Sequence, residues 1–443
     1  MLKFGTDGVR GVANQDLTPE LVVALGRAAA TVLSAERVVV GRDTRRSGQL
    51  IESALVAGLA AEGVEVTLLG VAPTPAVAWV AAADSIAGAV ISASHNPFED
   101  NGVKLFGPGG RKLDDPTEAA LEAELQRLLR HETRHAPRTG AAVGRTVDGS
   151  SRVEEWLASV ADSIDGRDLD GLRVVLDCAN GAASRVGPAV LRRLGAEVIV
   201  LHDQPDGTNI NAGCGSTHPA DLQHAVVEHG ASVGIALDGD ADRALAVDAD
   251  GRLIDGDQII AIAAIDRHGA GTLAKDSVVV TVMTNLGFRF GMAEHGISVV
   301  EVPVGDRYVI EALDAGGLSL GGEQSGHVIF ADRATTGDGL LTMVQLLDVV
   351  TRSGRPLAEL ADASMTRLPQ VLRNVRVARG GGEVAAALSD LIADVEAGLG
   401  DHGRVLIRAS GTEPLVRVMV EAPTVEQATA AANRLVAAVT DLS

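Results

Sequence analysis

At 443 residues, 46% apolar and 22% charged, the chain has length for about three to four domains and the balance of a soluble globular protein. A formal net charge of −21 argues against a nucleic-acid partner, which requires a basic face, although a local group of Arg and Lys can still receive an anionic ligand. Aromatic residues are only 2%, so the cores must be built from Ala, Val, Leu and Ile, and no apolar stretch is long enough to span a bilayer.

The stretch starting at Met1 lacks the apolar core of a signal peptide. Cys178 and Cys214 form no Cys-x-x-Cys and have no His at zinc-ligand spacing, so neither a disulfide framework nor a zinc site is implied. The reading is a cytoplasmic protein with no membrane segment.

In chain order, Thr18-Pro19-Glu20 predicts a helix start, with Thr as cap and Pro at the first helical position, and the helix runs to about Ser34. Arg37 to Val40 reads as a strand, and Ser47 as the cap of a helix through about Glu62. Gly63 ends that helix ahead of a strand, Glu65 to Leu69. The apolar run Ile86 to Ile91 is a buried strand, stopped by Ser94-His95-Asn96-Pro97. A helix begins near Pro116, and the polar stretch from His131 to Gly149 marks a first domain boundary.

The strand–helix–Gly–strand unit then recurs. It gives strands at Arg173 to Asp177 and Glu197 to Leu201 around a helix ending at Gly195, and at Val278 to Thr281 and Ser298 to Val302 around one ending at Gly296. Three such units predict three related α/β domains. From about Pro369 onward the pattern changes to a small α+β domain. Gly380-Gly381-Gly382 reads as a mobile turn, Arg404 to Arg408 and Val416 to Glu421 as neighbouring strands, and Thr424 to Gln427 as a capping box. The segments are 1–148, 149–252, 253–367 and 368–443.

Four loops carry chemistry. Ser94 stands beside His95 at the carboxyl end of a strand, where open parallel sheets place ligands. Asp238, Asp240 and Asp242 alternate with small residues after the strand Val233 to Leu237, and three carboxylates so close repel unless a cation is present. Their hard oxygen donors favour Mg²⁺. An EF-hand fails, because its sixth position would be Arg243 and its twelfth Ala249. Arg243 suits a phosphate near the metal. Gly322 to His327 puts an acid, an amide, a hydroxyl and an imidazole on one glycine-flanked loop, suited to a polyhydroxylated ligand, although a hairpin turn looks similar. Upstream, Gly305-Asp306 is weaker, since Asp306 can simply cap the next helix. Arg408 to Pro414, with Arg417 beyond, has the donors of a phosphate cradle between two strands.

Taken together, Phe4 to Gly11, Ile91 to Pro97, Asp100 to Lys104, Asp238 to Arg243, Gly322 to His327, Thr336 to Gly339 and Arg408 to Pro414 resemble the motifs of the α-D-phosphohexomutase superfamily over the whole chain. Within it the match to the bacterial branch acting on glucosamine phosphate is close. The resemblance implies three related α/β domains with mixed sheets and a C-terminal α+β domain, heart-shaped around a central cleft. It implies that Ser94 carries the phosphoryl group. Asp238, Asp240 and Asp242, with a phospho-Ser94 oxygen, would hold one Mg²⁺ per subunit. Arg10, His95, Lys104 and Arg243 would surround the transferring group. Glu323 and Ser325 would contact sugar hydroxyls, with Gly305, Asp306 and His327 also at the substrate. Arg408, Ser410, Gly411, Thr412 and Arg417 would grip the non-reacting phosphate. The implied activity is isomerisation of glucosamine 6-phosphate and glucosamine 1-phosphate through a 1,6-bisphosphate. A glucose or mannose phosphate mutase, a Mg²⁺-dependent sugar phosphatase and a sugar-phosphate sensor are the alternatives. A homodimer and an activating protein kinase stay open as partners.

Overall fold

The computed structural model describes residues 8–130, 136–377, 381–409 and 415–442. These form two compact units, Met1–Val282 with Ser298–Ala361, and Met283–Ile297 with Asp362–Ser443.

Among the described residues the first unit has three sheets. One is ordered Val9–Val12, Asp100–Gly107, Ala87–Ile91, Arg37–Arg42, Glu65–Val71, Thr146–Asp148. Its last four strands are parallel, while Val9–Val12 and Asp100–Gly107 run antiparallel to their neighbours. The second is ordered Leu253–Ile254, Ala244–Asp248, Val233–Leu237, Arg173–Asp177, Glu197–Leu201. The third is ordered Ser298–Val302, Ser277–Thr281, Leu320–Gly322, Val328–Phe330. All three mix parallel and antiparallel pairs, as the α/β reading with mixed sheets expects. The core of the first sheet is aliphatic, with Val22, Leu25, Val38, Val40, Leu55, Leu59, Ala89 and Ile91 all buried, which is how a chain poor in aromatics excludes water.

Local chemistry explains the element ends. Thr18 caps Pro19–Val32 by accepting from Leu21 N at 3.3 Å. Gly63, Gly195 and Gly296 have φ of +89°, +90° and +72°, the left-handed terminus that feeds each following strand.

Two expectations need correction. Ser47 stands at the N-cap position of Gly48–Ala61, as read, but its backbone is helical and its hydroxyl makes no capping bond, accepting instead from Asn101 Nδ2 at 2.9 Å. Gly381 and Gly382 do not form a turn. They open the helix Gly381–Ala387, while Gly380 lies outside the described residues. The polar stretch read as a domain boundary also carries a strand, since the β-branched pair Thr146 and Val147 suits Thr146–Asp148 to an edge position parallel to Glu65–Val71.

In the second unit, Gln370–Arg376, Leu415–Glu421 and Arg404–Ala409 form an antiparallel sheet in that order. The helix Val425–Asp441 buries Ala428, Ala432, Leu435 and Val439 in a core with Val416, Val418 and Val420. Thr424 caps that helix, accepting from Gln427 N at 3.2 Å. Glu421 is buried and accepts from Asn285 Nδ2, Leu286 N, Gln370 Nε2 and Arg404. Among the described residues no helix is long and apolar enough to cross a membrane.

Candidate active site

The strand Ala87–Ile91 delivers its chain into a loop whose every early turn is fixed. Ser92 N donates to Gly102 O, and the Ser92 hydroxyl donates to Asp43 Oδ2 at 2.6 Å while accepting from Ser94 N at 2.9 Å. Ser94 sits at φ +51°, a left-handed conformation costly for a residue with a Cβ. The surroundings hold it there. The buried Arg45 guanidinium donates to Ser94 O and Asn96 O, both at 2.8 Å, to Asp100 O at 2.9 Å and to Pro97 O. Its Nε is bound by Asp43 Oδ2 at 2.8 Å. From the opposite side Asn211 Nδ2 donates to Ser94 O at 2.8 Å and Asn96 O at 3.0 Å.

This loop meets the one that follows Val233–Leu237. The Ser94 hydroxyl donates to Asp238 Oδ2 at 2.6 Å. Closeness of the two backbones requires Gly239, since a Cβ there would stand 2.6 Å from Ser94 O. Asp238 and Asp240 are 0% exposed and Asp242 7%. Lys104 Nζ, also buried, lies 2.7 Å from Asp240 Oδ2 and 3.1 Å from Asp242 Oδ2. Thr74 donates its hydroxyl to Asp240 Oδ2 at 2.6 Å. One oxygen from each of the three carboxylates falls within 4.8 Å of the others.

Electrostatics follow from this packing. Burial, together with Asp242 and Asp240, pushes the Asp238 carboxyl well above its ordinary range. Burial also acts to raise Asp242, but Lys104, His327 and Arg243 outweigh it and hold that carboxyl well below. The buried oxygens Asp240 Oδ1 and Asp242 Oδ1 accept no hydrogen bond from the described residues. Three buried carboxylates against one ammonium, with two such oxygens, fit a hard divalent cation. His95 is lowered to about 4 by burial and by Arg243 and Arg10, so its ring is neutral near pH 7, with Nδ1 3.4 Å from the Ser94 hydroxyl. Arg10, His95 and Arg243 therefore share one neighbourhood with Ser94.

The loop Glu323 to His327 is indeed a hairpin turn, between Leu320–Gly322 and Val328–Phe330. It also belongs to this site. His327 Nε2 accepts from Gly337 N at 3.1 Å, which assigns the ring proton to Nδ1, 3.7 Å from Asp242 Oδ1. Glu323 Oε1 accepts from Gly305 N at 3.1 Å. The Ser325 hydroxyl is buried with no hydrogen-bond partner among the described residues, as a group awaiting a ligand would be. Gly305 is the residue before the helix Asp306–Gly316. Asp306 caps nothing with its side chain; it pairs with Lys112 Nζ at 2.5 Å.

In the second unit Arg408 and Arg417 face each other in register on adjacent strands, and the buried Arg417 Nε has no hydrogen-bond partner among the described residues. Ser410, Gly411 and Thr412 lie outside the described residues.

The sequence reading missed Asp43, Arg45, Thr74, Ser92, Asn211 and Lys112. A signal existed for the first two. Arg42-Asp43-Thr44-Arg45-Arg46 is a charged run at the carboxyl end of a parallel strand.

Comparison with known proteins bears on the family and the fold. Sequence models of the phosphoglucomutase/phosphomannomutase family match in order: alpha/beta/alpha domain I over residues 1–131, domain II over 154–251, domain III over 255–368 and the C-terminal domain over 372–438. A phosphoglucosamine mutase of Thermobifida fusca is 54% identical, covering 99% of this chain and 98% of its own. A phosphoglucomutase/phosphomannomutase family protein of Burkholderia thailandensis superposes with a TM-score of 0.82 at 24% identity, covering 99% of this chain and 98% of its own. The N-acetylphosphoglucosamine mutase of Aspergillus fumigatus, solved with GlcNAc-6P and magnesium, shares the fold with a TM-score of 0.73 at 21% identity, over 100% of this chain and 95% of its own. By full-length identity and by the order of its four matched domains, the chain belongs to the phosphoglucomutase/phosphomannomutase family, among its phosphoglucosamine mutases.

Proposed function

We propose that the chain interconverts glucosamine 6-phosphate and glucosamine 1-phosphate through a phosphoserine at Ser94. The observation that carries this is the 2.6 Å contact between the Ser94 hydroxyl and a buried carboxylate triad with Lys104 against it. In the first half-reaction the P–Oγ bond of phospho-Ser94 breaks as a P–O bond forms to O1 of glucosamine 6-phosphate. The O1 proton leaves, Ser94 Oγ gains one, and the product is the 1,6-bisphosphate. In the second half-reaction Ser94 loses its proton and takes the phosphoryl from O6, which is protonated as glucosamine 1-phosphate forms.

Lys104 is the proton carrier in this scheme, an ammonium held by Asp240 and Asp242 of the triad whose Asp238 takes the Ser94 hydroxyl. Arg10 and Arg243 offset the charge of the transferring group, and His95 adds a neutral hydrogen-bonding group. Asp238, Asp240 and Asp242 would hold Mg²⁺, completed by a phosphoserine oxygen; when bound it neutralises negative charge where phosphate and carboxylates crowd. Glu323 and Ser325 select hydroxyls of the sugar, with Gly305, Asp306 and His327 behind them. Arg408, Ser410, Gly411, Thr412 and Arg417 hold whichever phosphate is not reacting. The four segments given above serve as the domains, each bringing one loop.

Ser94→Ala tests the reading. Turnover of glucosamine 6-phosphate, primed with the 1,6-bisphosphate and Mg²⁺, should vanish with an unchanged circular dichroism spectrum. Isomerisation at the wild-type rate by this variant would sink the assignment. The same assay on glucose and mannose 6-phosphates separates the hexosamine reading from its hexose alternatives.

A further inference from the structure

Apart from the triad, one other cluster of metal-ligating side chains stands out in the first unit. Asp177 ends the strand Arg173–Asp177, and His202 follows the adjacent parallel strand Glu197–Leu201, whose last residue is Asp177's register partner. Cys214 arrives on the loop before the short turn Gly215–Thr217. One donor atom of each of the three lies within 4.8 Å of the others. Asp177 and Cys214 are 0% exposed, whereas the His202 side chain keeps a path to solvent at 27%.

The arrangement has features of a ligand set. Asp177 is pinned by Ala179 N at 2.9 Å and Gly215 N at 2.8 Å, so its carboxylate cannot turn away. His202 is held at φ +50°, and its Nδ1 stands 3.1 Å from Asp177 Oδ1, a partner that raises the imidazole's pKa. Its other nitrogen, Nε2, faces a second carboxylate, Asp221 Oδ2, at 3.4 Å. A histidine with one nitrogen turned to a cluster and the other to an outer carboxylate is the usual support of a metal-bound imidazole. The donors are one sulfur, one nitrogen and one oxygen, unlike the all-oxygen triad, and that mixture suits a zinc-class ion and disfavours Mg²⁺. Spacing along the chain conceals the cluster; the fold alone assembles it.

We propose that Asp177, His202 and Cys214 bind a divalent transition ion of the zinc class, with solvent at the remaining position. The thiol proton passes to solvent as the Sγ–metal bond forms. The site would brace the nucleophile loop. Asn211 N donates to Ala179 O at 2.9 Å, and Asn211 is the residue whose amide holds Ser94 O and Asn96 O; Thr44 donates to Asn180 O at 2.6 Å.

The test uses the full chain, stripped with chelator and dialysed against Zn²⁺ in excess Mg²⁺. Elemental analysis should find about one zinc per chain, the stoichiometry of one three-ligand site. Loading with Co²⁺ should give a thiolate-to-cobalt charge-transfer band with the visible bands of a tetrahedral ion. Cys214→Ser should remove the charge-transfer band, and both it and His202→Ala should weaken zinc binding at least ~10-fold, with circular dichroism reporting that each variant is folded. Asp238→Asn should keep the zinc. The proposal is overturned if wild-type protein retains no zinc, if folded His202→Ala retains it as tightly, or if Asp238→Asn loses it.

Discussion

Arg45 is a fully buried cation whose donors all go to backbone carbonyls of the nucleophile loop or to Asp43. Truncating it would leave Asp43 as an unpaired buried charge and strand several carbonyls, so Arg45→Ala should cost about 3–5 kcal/mol in urea denaturation. Arg45→Lys keeps the charge but not the forked geometry, and should recover part of that stability while leaving phosphoryl transfer slow. A cost below about 1 kcal/mol for the alanine variant would show that the loop holds its shape unaided. At this scale the sequence exposed the residues that touch the reacting group, since hydroxyl, carboxylate and imidazole are rare side by side in turns. It hid those that act through backbone, such as Arg45 and Asn211, because a carbonyl has no signature in the sequence.

Among the elements, the parallel strands and their glycine-stopped helices were legible from pattern. The antiparallel return strands Val9–Val12, Asp100–Gly107 and Ala244–Asp248 were not. Two of them carry site residues, Arg10 and Lys104, and a charge in mid-strand breaks the apolar run by which a buried strand is recognised. The helix Gly339–Ser353 shows what one cap can do. Asp338 caps it by accepting from Leu341 N at 2.9 Å and also accepts from Trp156 Nε1 at 3.2 Å. Burial raises its carboxyl from 3.8 to about 6. The folded state then holds a proton that the unfolded chain releases, so stability from this group is greatest at low pH and falls as pH rises through about 6. Referenced to Asp338→Asn, which cannot titrate, the wild type should be about 1 kcal/mol more stable at about pH 5.5 than at about pH 7.5 in urea melts. A pH-independent difference would contradict the raised carboxyl.

For the molecule as a whole, the chain passes between its two units at 282/283, 297/298 and 361/362. The helix Leu286–Glu294, read from sequence as the middle of a third strand–helix–strand unit, sits by chain order between strands of the third sheet and by packing in the second unit. Periodicity identified the helix, but not the company it keeps. Glu421 explains that company, because its carboxylate takes the amide of Leu286 and the side chain of Asn285.

Trp156, on its carboxylate, and Trp79, under the Arg152 guanidinium at 5.8 Å, both belong to the first unit, and so does Tyr308, the lone tyrosine. The second unit is therefore dark to indole and phenol emission. A thermal scan followed by intrinsic fluorescence should report the first unit alone, whereas the far-ultraviolet amide signal sees both. Superimposable curves would mean that the two melt as one; an amide transition without an emission change would be the second unit letting go by itself.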